Sequence, residues 1–309
     1  MNSLHNLLMT ELDKENWEIP WKSNVYMKDY TSFKIGGPVS LMLFPKNLDH
    51  LYRINSLLYE NKIEPLILGR GTNLLVDDNP LDLVVINTTV FNNMKCLESE
   101  TEIIADSGVG LNALAMFACE LGLTGLEFAH GIPGTLGGAI KMNAGAFNCE
   151  IKDIVRKTTF ITPGGELLDV SDERHEFGYR HSRFSDTGDV IQTAKLKLQK
   201  ADKAQVKAKM DELSEKRRNT QPLDMPSAGS VFKRPVRGYA AELIDKAGLK
   251  GYTVGGAQIS KRHAGFIVNL GNASFADVIA VMEHTKEEVL KLFNVELEPE
   301  VKIIRNAEL

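Results

Sequence analysis

The sequence has little of what marks secreted, membrane-spanning or nucleic-acid-binding proteins. Its three cysteines, Cys96, Cys119 and Cys149, are too few and too far apart for a disulfide framework or a zinc site. No apolar run reaches the roughly 18 residues of a membrane span, and residues 1–17 carry charged side chains where a signal peptide needs an apolar core. Neither sign of charge dominates, since 36 Lys and Arg oppose 41 Asp and Glu. We therefore predict a cytoplasmic protein without a polybasic surface for nucleic acid or membrane.

Several catalytic motifs are missing as well. The chain has no G-x-x-x-x-G-K-[ST] phosphate loop, no G-x-S-x-G elbow and no metal-ligand spacing of His, Asp and Glu. Residues 108–113 match the dinucleotide motif G-x-G-x-x-A, but no second strand ending in an acid follows about 20 residues later. We interpret this match as an ordinary strand-to-helix turn.

What is present is an ordinary globular composition, with 43% apolar and 25% charged residues, and a mixed periodicity. The first thirty residues are typical of a short helix followed by an irregular arm. Helical spacing predicts helices at residues 47–62, 111–121, 200–218, 239–247 and 274–293. Alternating or short apolar runs predict strands at residues 41–44, 65–68, 83–86, 101–105, 155–161, 166–170, 194–198 and 301–304, and around Gln258 and Ile267. The pattern predicts an α+β protein with a domain boundary near residue 200.

Two glycine-rich segments follow predicted strands. One is Gly69-Arg70-Gly71-Thr72-Asn73, and the other runs over residues 131–145 with glycines at 131, 134, 137, 138 and 145. Glycine lets backbone N–H groups approach an anion without a Cβ in the way. Two such segments favour a pyrophosphate-containing cofactor, but tight turns that merely need glycine explain the pattern about equally well.

The remaining polar clusters are weaker signals. A Pro/Gly-rich loop is surrounded by Arg217, Arg218, Gln221, Ser230, Lys233 and Arg234, and further polar runs occupy residues 178–183 and 298–300. A solvated basic edge is an equally simple interpretation of the first cluster. We interpret His263 as structural, because nothing nearby has the spacing of a metal or catalytic set.

Nine segments, in this order, match one family. They are residues 30–38, 67–75, 131–139, 142–146, 178–180, 221–222, 228–233, 263–266 and 298–301. Through them the chain resembles the UDP-N-acetylenolpyruvoylglucosamine reductases, and the resemblance extends over nearly the whole length. It implies NADPH-dependent reduction of UDP-N-acetylglucosamine enolpyruvate through FAD, in peptidoglycan precursor synthesis.

The resemblance also implies an architecture. It is an N-terminal arm and helix over residues 1–33, an FAD-binding domain of the vanillyl-alcohol-oxidase type with two α+β subdomains over 34–199, and an α+β substrate-binding domain over 200–309. Only residues 185–189 separate Phe184 from the next predicted strand, so the chain resembles the shorter family type, which lacks an additional insert. No histidine replaces Thr72, and we expect noncovalent FAD. We expect a monomer.

Site residues follow from the resemblance alone. It implies catalytic roles for Arg180, Ser230 and Glu300, and substrate binding by Tyr179, Arg217 and Lys233. It implies FAD contacts by Gly69, Arg70, Gly71, Thr72, Asn73, Leu74, Gly131, Ile132, Pro133, Gly134, Gly137, Gly138, Asn143, Ala144 and Gly145, with further contacts by Thr31, Ser32, Gly36 and Gly37. Two rival functions are a flavin oxidase on the same cofactor domain and a non-catalytic nucleotide-sugar sensor.

Overall fold

The computed structural model describes Thr10 and residues 18–306, which fall into two compact units. Of the described residues, the first unit holds those up to Ser23, then Ser40–Gly69 and Leu83–Glu215. The second holds Asn24–Val39, Arg70–Asp82 and the described residues from Lys216 onward. The chain therefore passes from one unit to the other five times, where the sequence pattern indicates one boundary near residue 200. The helix expected at the N-terminus lies, apart from Thr10, outside the described residues.

Helices and strands alternate along the described chain. The helices are α1 (Leu48–Glu60), α2 (Leu111–Glu120), α3 (Leu136–Lys141), α4 (Lys203–Thr220), α5 (Ala240–Lys246) and α6 (Phe275–Phe293). The strands are β1 (Trp21–Tyr26), β2 (Pro38–Leu43), β3 (Leu66–Leu68), β4 (Leu74–Val76), β5 (Leu81–Asn87), β6 (Met94–Cys96), β7 (Glu102–Asp106), β8 (Leu123–Thr124), β9 (Gly145–Ala146), β10 (Cys149–Glu150), β11 (Val155–Ile161), β12 (Leu167–Ser171), β13 (Val190–Lys197), β14 (Gln199–Lys200), β15 (Thr253–Val254), β16 (Ala257–Ile259), β17 (Ile267–Asn269) and β18 (Lys302–Ile304). The five predicted helices are confirmed to within three residues at either end.

A first core of the first unit lies between α1 and a four-stranded sheet of order β1-β2-β5-β3. Helix α1 begins where the Asn47 side chain accepts a hydrogen bond from the His50 N–H at 2.8 Å. Its apolar stripe, with Leu51 and Ile54 fully buried, packs with apolar side chains of β2 and β5. Strand β1 replaces the irregular arm that the sequence pattern predicts. Its side chains are mostly exposed, so no apolar alternation indicates it.

A second core packs α2 and α3 on a five-stranded sheet of order β12-β11-β13-β7-β6. The strands predicted at residues 155–161 and 166–170 are confirmed as β11 and β12, which pair antiparallel as a hairpin with Ile161 opposite Leu167. Strand β7 is antiparallel to both of its neighbours, β13 and β6. A dinucleotide motif needs a parallel partner strand there. The interpretation of residues 108–113 as a strand-to-helix turn is therefore confirmed.

The second unit has a core of its own. Helices α5 and α6 pack with the antiparallel sheet β15-β16-β17, while β18 pairs parallel with β4. Helix α6 begins at a capping box in which Ser274 Oγ accepts the Asp277 N–H and Asp277 accepts the Ser274 N–H. The hydrogen bonds that the Asp277 carboxylate accepts from the backbone N–H groups of Ser274 and Gly256 lower the pKa of Asp277. Among the described residues, no helix is both long and apolar enough to cross a membrane.

One buried histidine links the stability of the first unit to pH. His175 is fully buried and stacks on Phe177, with ring centroids 4.9 Å apart. Nδ1 lies 2.9 Å from the carbonyl oxygen of Asp172 and must donate to it, while Nε2 lies 2.9 Å from Thr158 Oγ1. Burial disfavours the charged ring and lowers the pKa of His175 below the ordinary value of 6.5, so the neutral ring predominates near pH 7.

We expect the free energy of unfolding to fall as pH drops below about 6.5. Between the lowered folded pKa and the ordinary unfolded one, the unfolded chain binds more protons, so acid favours unfolding. His175→Gln removes this titration. Urea unfolding at pH 7.5, 6.5 and 5.5 should give a shallower pH dependence for the variant. An equal slope in both proteins would contradict a buried neutral His175.

Candidate functional site

The loop over residues 69–74 is built as a row of backbone donors. Gly71 has a φ of +59°, and a Cβ on it would lie 2.2 Å from the carbonyl oxygen of Tyr30. The Gly71 carbonyl accepts the Ser32 N–H at 3.1 Å. In the part of the chain that the structure describes, no hydrogen bond engages the N–H groups of Arg70, Gly71, Thr72 or Asn73. Such a run of open donors is suited to an anion.

The second glycine segment contains α3, a short helix that the glycines hid from the sequence analysis. Thr135 caps it, with Oγ1 facing the Gly138 N–H. A Cβ on Gly137 would lie 2.9 Å from the Cβ of Ser107, and a Cβ on Gly69 would lie 2.4 Å from Thr135 Oγ1. Both glycines are therefore required for close packing inside the first unit. In the described chain, no hydrogen bond engages the N–H groups of Gly134 and Thr135.

Asn112 binds the start of the same segment, a role that no motif in the sequence predicts. Its side-chain oxygen, in the first turn of α2, accepts the N–H of Gly131, which has a φ of +91°. One feature of the sequence could have indicated this contact. An Asn lies inside the G-x-G-x-x-A match, at a position that a dinucleotide motif leaves open to any residue. Asn112 thus holds the entrance of the glycine segment.

The segment ends at Asn143, whose side chain is used inside the first unit. Its φ is +42°, and the next residue, Ala144, donates its N–H to the carbonyl of Ala139 at 2.8 Å, which closes α3. Asn143 is fully buried. Its Oδ1 accepts the Lys152 N–H at 3.1 Å, and its Nδ2 donates to the Gly178 carbonyl at 2.8 Å. Glu150 Oε2 lies 3.3 Å from the same nitrogen, so both amide hydrogens of Asn143 have an acceptor within the first unit.

Tyr179 and Arg180 lie in a tight turn of the first unit. Gly178 and His181 form an antiparallel bridge around them. Arg180 has a φ of +54°, which is uncommon for a residue with a long side chain. Its Nη2 donates to the Gly145 carbonyl at 3.4 Å, and its guanidinium lies 5.1 Å from the ring centroid of the half-exposed Tyr179. The turn thus presents a cation beside β9.

In the second unit, Ser230 and Glu300 lie on neighbouring segments. Ser230 forms an antiparallel bridge with Phe266, and Phe232 forms one with Pro299. The carbonyl of Val231, the residue after Ser230, accepts the Glu300 N–H at 2.7 Å. Residues 230–233 are therefore held between the turn at 263–266 and the segment at 298–301.

The glycine loop is tied to Glu300 within this unit. Asn73 Nδ2 donates to the Glu300 carbonyl at 3.1 Å, and the Asn73 carbonyl accepts the Lys302 N–H at 2.9 Å. The loop residues 70–74, Ser230 and Glu300 are thus brought together. Arg180 and Tyr179 belong to the first unit, with the segment 131–145.

The other predicted side chains have individual surroundings. Arg217 is buried, and burial lowers the pKa of its guanidinium. The ordinary pKa of an arginine is so high that the group nevertheless stays charged. Lys233 Nζ lies 3.3 Å from Glu298 Oε2. His263 Nδ1 accepts the Gly265 N–H at 3.2 Å, and burial lowers the pKa of the ring. The ring is therefore neutral near pH 7.

The turn at residues 31–37 has a packing role inside the second unit. Thr31 Oγ1 donates to the Ile35 carbonyl at 3.0 Å, and Ser32 Oγ donates to the Ser227 carbonyl at 2.7 Å. A Cβ on Gly37 would lie 2.1 Å from the Asp78 carbonyl oxygen, and one on Gly36 would lie 2.8 Å from the Met27 Cβ. Close packing accounts for both glycines. Among the described residues, no cluster of three His, Cys, Asp or Glu side chains could hold a metal ion.

Comparison with known proteins identifies two matching family models. The C-terminal domain of UDP-N-acetylenolpyruvoylglucosamine reductase matches residues 221–304, and an FAD binding domain matches residues 39–171. The UDP-N-acetylenolpyruvoylglucosamine reductase of Caldanaerobacter subterraneus subsp. tengcongensis is 44% identical over 281 residues, which cover 91% of this chain and 92% of the relative. That of Clostridium novyi is 43% identical over 97% of this chain and 96% of the relative. The crystal structure of the Thermus caldophilus reductase has a TM-score of 0.79 at 32% identity, covering 93% of this chain and 99% of that chain.

We expect Gly71→Ala to destabilise the protein far more than Gly238→Ala. Both glycines have positive φ, +59° and +80°, so both variants carry the left-handed strain of about 1–2 kcal/mol. Nothing lies within 4 Å of a Cβ on Gly238, whereas one on Gly71 meets the Tyr30 carbonyl. The collision should cost about 1–3 kcal/mol more. Urea unfolding of the cofactor-free proteins measures the difference, and equal losses would contradict the loop packing.

Proposed function

The chain belongs to the UDP-N-acetylenolpyruvoylglucosamine reductase family, and from this premise we propose which of its residues carry the reaction. The reaction is the NADPH-dependent reduction of UDP-N-acetylglucosamine enolpyruvate to UDP-N-acetylmuramate, a step of peptidoglycan precursor synthesis. FAD, when bound, relays the hydride from NADPH to the enolpyruvyl group. The rival oxidase function is not favoured.

The two glycine segments hold the cofactor. Each segment has support of its own. The N–H groups of residues 70–73 are open to a ligand, and so are those of Gly134 and Thr135, and neighbouring open donors of this kind suit the oxygens of a pyrophosphate. The residues involved are Gly69, Arg70, Gly71, Thr72, Asn73, Leu74, Gly131, Ile132, Pro133, Gly134, Gly137, Gly138, Ala144 and Gly145, together with the backbone of Asn143. Thr72 stands where a covalent link would need a histidine, and FAD is held noncovalently.

Arg180 and Glu300 stabilise the charge that develops on the substrate. Hydride addition to C3 of the enolpyruvyl double bond leaves negative charge at C2, which spreads into the adjacent carboxylate. The planar guanidinium of Arg180 can donate two hydrogen bonds to that carboxylate. A protonated Glu300 carboxyl can donate a third. Loss of one donor of this kind costs on the order of 3 kcal/mol, or about a hundredfold in rate.

Ser230 donates the proton that completes the reduction at C2. The observation that carries this assignment is the pairing of the two segments around Val231, which supports Ser230 and Glu300 acting on the same substrate carbon and carboxylate. A serine hydroxyl is a weak acid, so the transfer relies on the strong basicity of the enolate-like intermediate and on water to restore the proton.

Tyr179, Arg217 and Lys233 bind the anionic substrate. Arg217 is buried and its guanidinium carries the positive charge and planar donors that suit the phosphate oxygens of a sugar diphosphate. Lys233 lies beside Glu298 at an exposed ion pair, which is weak enough to be exchanged for a phosphate. The protein acts as a cytoplasmic monomer, without nucleic-acid or membrane partners.

The function is tested by an anaerobic visible spectrum of the purified protein. We expect a flavin band that bleaches with one equivalent of NADPH and returns when UDP-N-acetylglucosamine enolpyruvate is added. A band that returns only after air is admitted would indicate an oxidase. Absence of any flavin band, even after FAD is supplied, would contradict the cofactor assignment.

The role of Ser230 predicts a split between the two half-reactions. Ser230→Ala should leave flavin reduction by NADPH nearly unchanged and slow flavin reoxidation by the enolpyruvyl substrate by about a hundredfold or more. Ser227→Ala, in the same loop, is the matched control and should change neither rate. Stopped-flow absorbance measures both steps. If Ser230→Ala slowed both half-reactions equally, the hydroxyl would have no special role in proton donation.

A further inference from the structure

We propose that Asn143 is a positioning residue for Arg180, and that its side chain acts on the second half-reaction rather than on FAD binding. The inference rests on the proposed role of Arg180. Both residues belong to the first unit, and the amide of Asn143 reaches the turn that carries Arg180.

Every hydrogen-bonding group of the Asn143 amide is already used within the first unit. Its oxygen accepts the Lys152 N–H, and its nitrogen donates to the Gly178 carbonyl and to Glu150 Oε2. An amide nitrogen has two hydrogens, and both are thereby used. Asn143 is fully buried, so breaking either bond would leave polar groups unsatisfied away from water. A ligand therefore gains nothing from this nitrogen.

The amide holds the first residue of the Arg180 turn. The Gly178 carbonyl receives the Asn143 Nδ2 at 2.8 Å and the His181 N–H at 3.3 Å, and the shorter of the two bonds comes from Asn143. Gly178 is two residues before Arg180. The turn is thereby fixed to the end of α3 and not only to itself.

The backbone that follows Asn143 also holds the guanidinium of Arg180. Gly145, two residues on, offers its carbonyl to Arg180 Nη2 at 3.4 Å. One short segment thus fixes both the start of the turn and the guanidinium. Arg180 also has a φ of +54°, a conformation that persists only where the surroundings impose it. Removing the Asn143 bond frees the turn to relax.

Relaxation of the turn affects one chemical step more than the others. The guanidinium must meet the carboxylate where charge develops, and a displacement of about 1 Å can cost about a hundredfold in rate. Hydride transfer from NADPH to the cofactor makes no use of that charge. The amide of Asn143 should therefore matter for reoxidation by substrate and not for reduction.

The first experiment compares Asn143→Gly with Asn148→Gly. Both replace an asparagine at a positive φ, +42° and +64°, so glycine keeps each backbone conformation. Asn148 is exposed in the turn between β9 and β10. We expect both variants to retain FAD with unchanged affinity and to be reduced by NADPH at the wild-type rate. Asn143→Gly alone should slow reoxidation by about ten- to a hundredfold.

Asn143→Asp is the second variant, should Asn143→Gly fail to fold. While it is ionised, the carboxylate keeps the left-handed preference and the acceptor for the Lys152 N–H but cannot donate to Gly178, so its rates are compared over a range of pH that reaches 9. It should retain FAD and show the same selective loss of reoxidation. Weakened FAD affinity in a folded Asn143 variant, measured by flavin fluorescence, would overturn the proposal in favour of a direct flavin contact.

A double-mutant cycle separates positioning from a general structural effect. In the Arg180→Ala background, Asn143→Gly should slow reoxidation no further, because the side chain that it positions is gone. Multiplying losses would overturn the proposal. Wild-type reoxidation in Arg180→Ala alone would instead overturn the proposed role of Arg180, so the two failures are distinguishable.

Discussion

The parallel pairing of β4 with β18 is the constraint on which the second unit depends. Three residues on each side, Leu74–Val76 and Lys302–Ile304, join parts of the chain that are more than 220 residues apart. In a parallel pair, both strands start at the same end. The glycine loop runs into β4 and Glu300 precedes β18, so the direction of pairing alone sets the two side by side. Asn73 completes the arrangement by binding the Glu300 carbonyl. Leu75, fully buried, anchors the pair in the core.

The local sequence pattern was sufficient to predict the elements that bury an apolar stripe of their own side chains. Helix α1 is an example, because Asn47 and the spacing of Leu51, Ile54 and Leu58 lie within one short window. Strand β1 and helix α3 were missed for opposite reasons. The exposed side chains of β1 give no alternation, and the glycines of α3 argue against a helix that packing nonetheless forms. The chain passes repeatedly from one unit to the other because distant segments pair, as β4 does with β18. No local pattern in the sequence predicts such a pairing.

The candidate site was predicted by resemblance more than by pattern. Glycine content could not distinguish a position that faces a ligand from one that packs against backbone. Gly37 and Gly137 are of the second kind, while the loop around Gly71 combines close packing with open donors. The role of Asn143 was also beyond sequence reasoning, since its partners Lys152 and Gly178 are identified only by the fold. Polar residues in a glycine-rich segment therefore need their hydrogen bonds counted before they are assigned to a cofactor.

The late position of β18 in the chain has a consequence for biosynthesis. A ribosome makes residues 70–82 long before it makes the strand with which β4 pairs. The first unit, complete at Glu215, can fold while the chain is still growing. The glycine loop cannot meet the Glu300 segment until residues 300–304 have been made and have left the ribosome. The second unit is thus assembled after the first, and a nascent chain stalled before residue 300 could fold its first unit while β4 still lacked its partner strand.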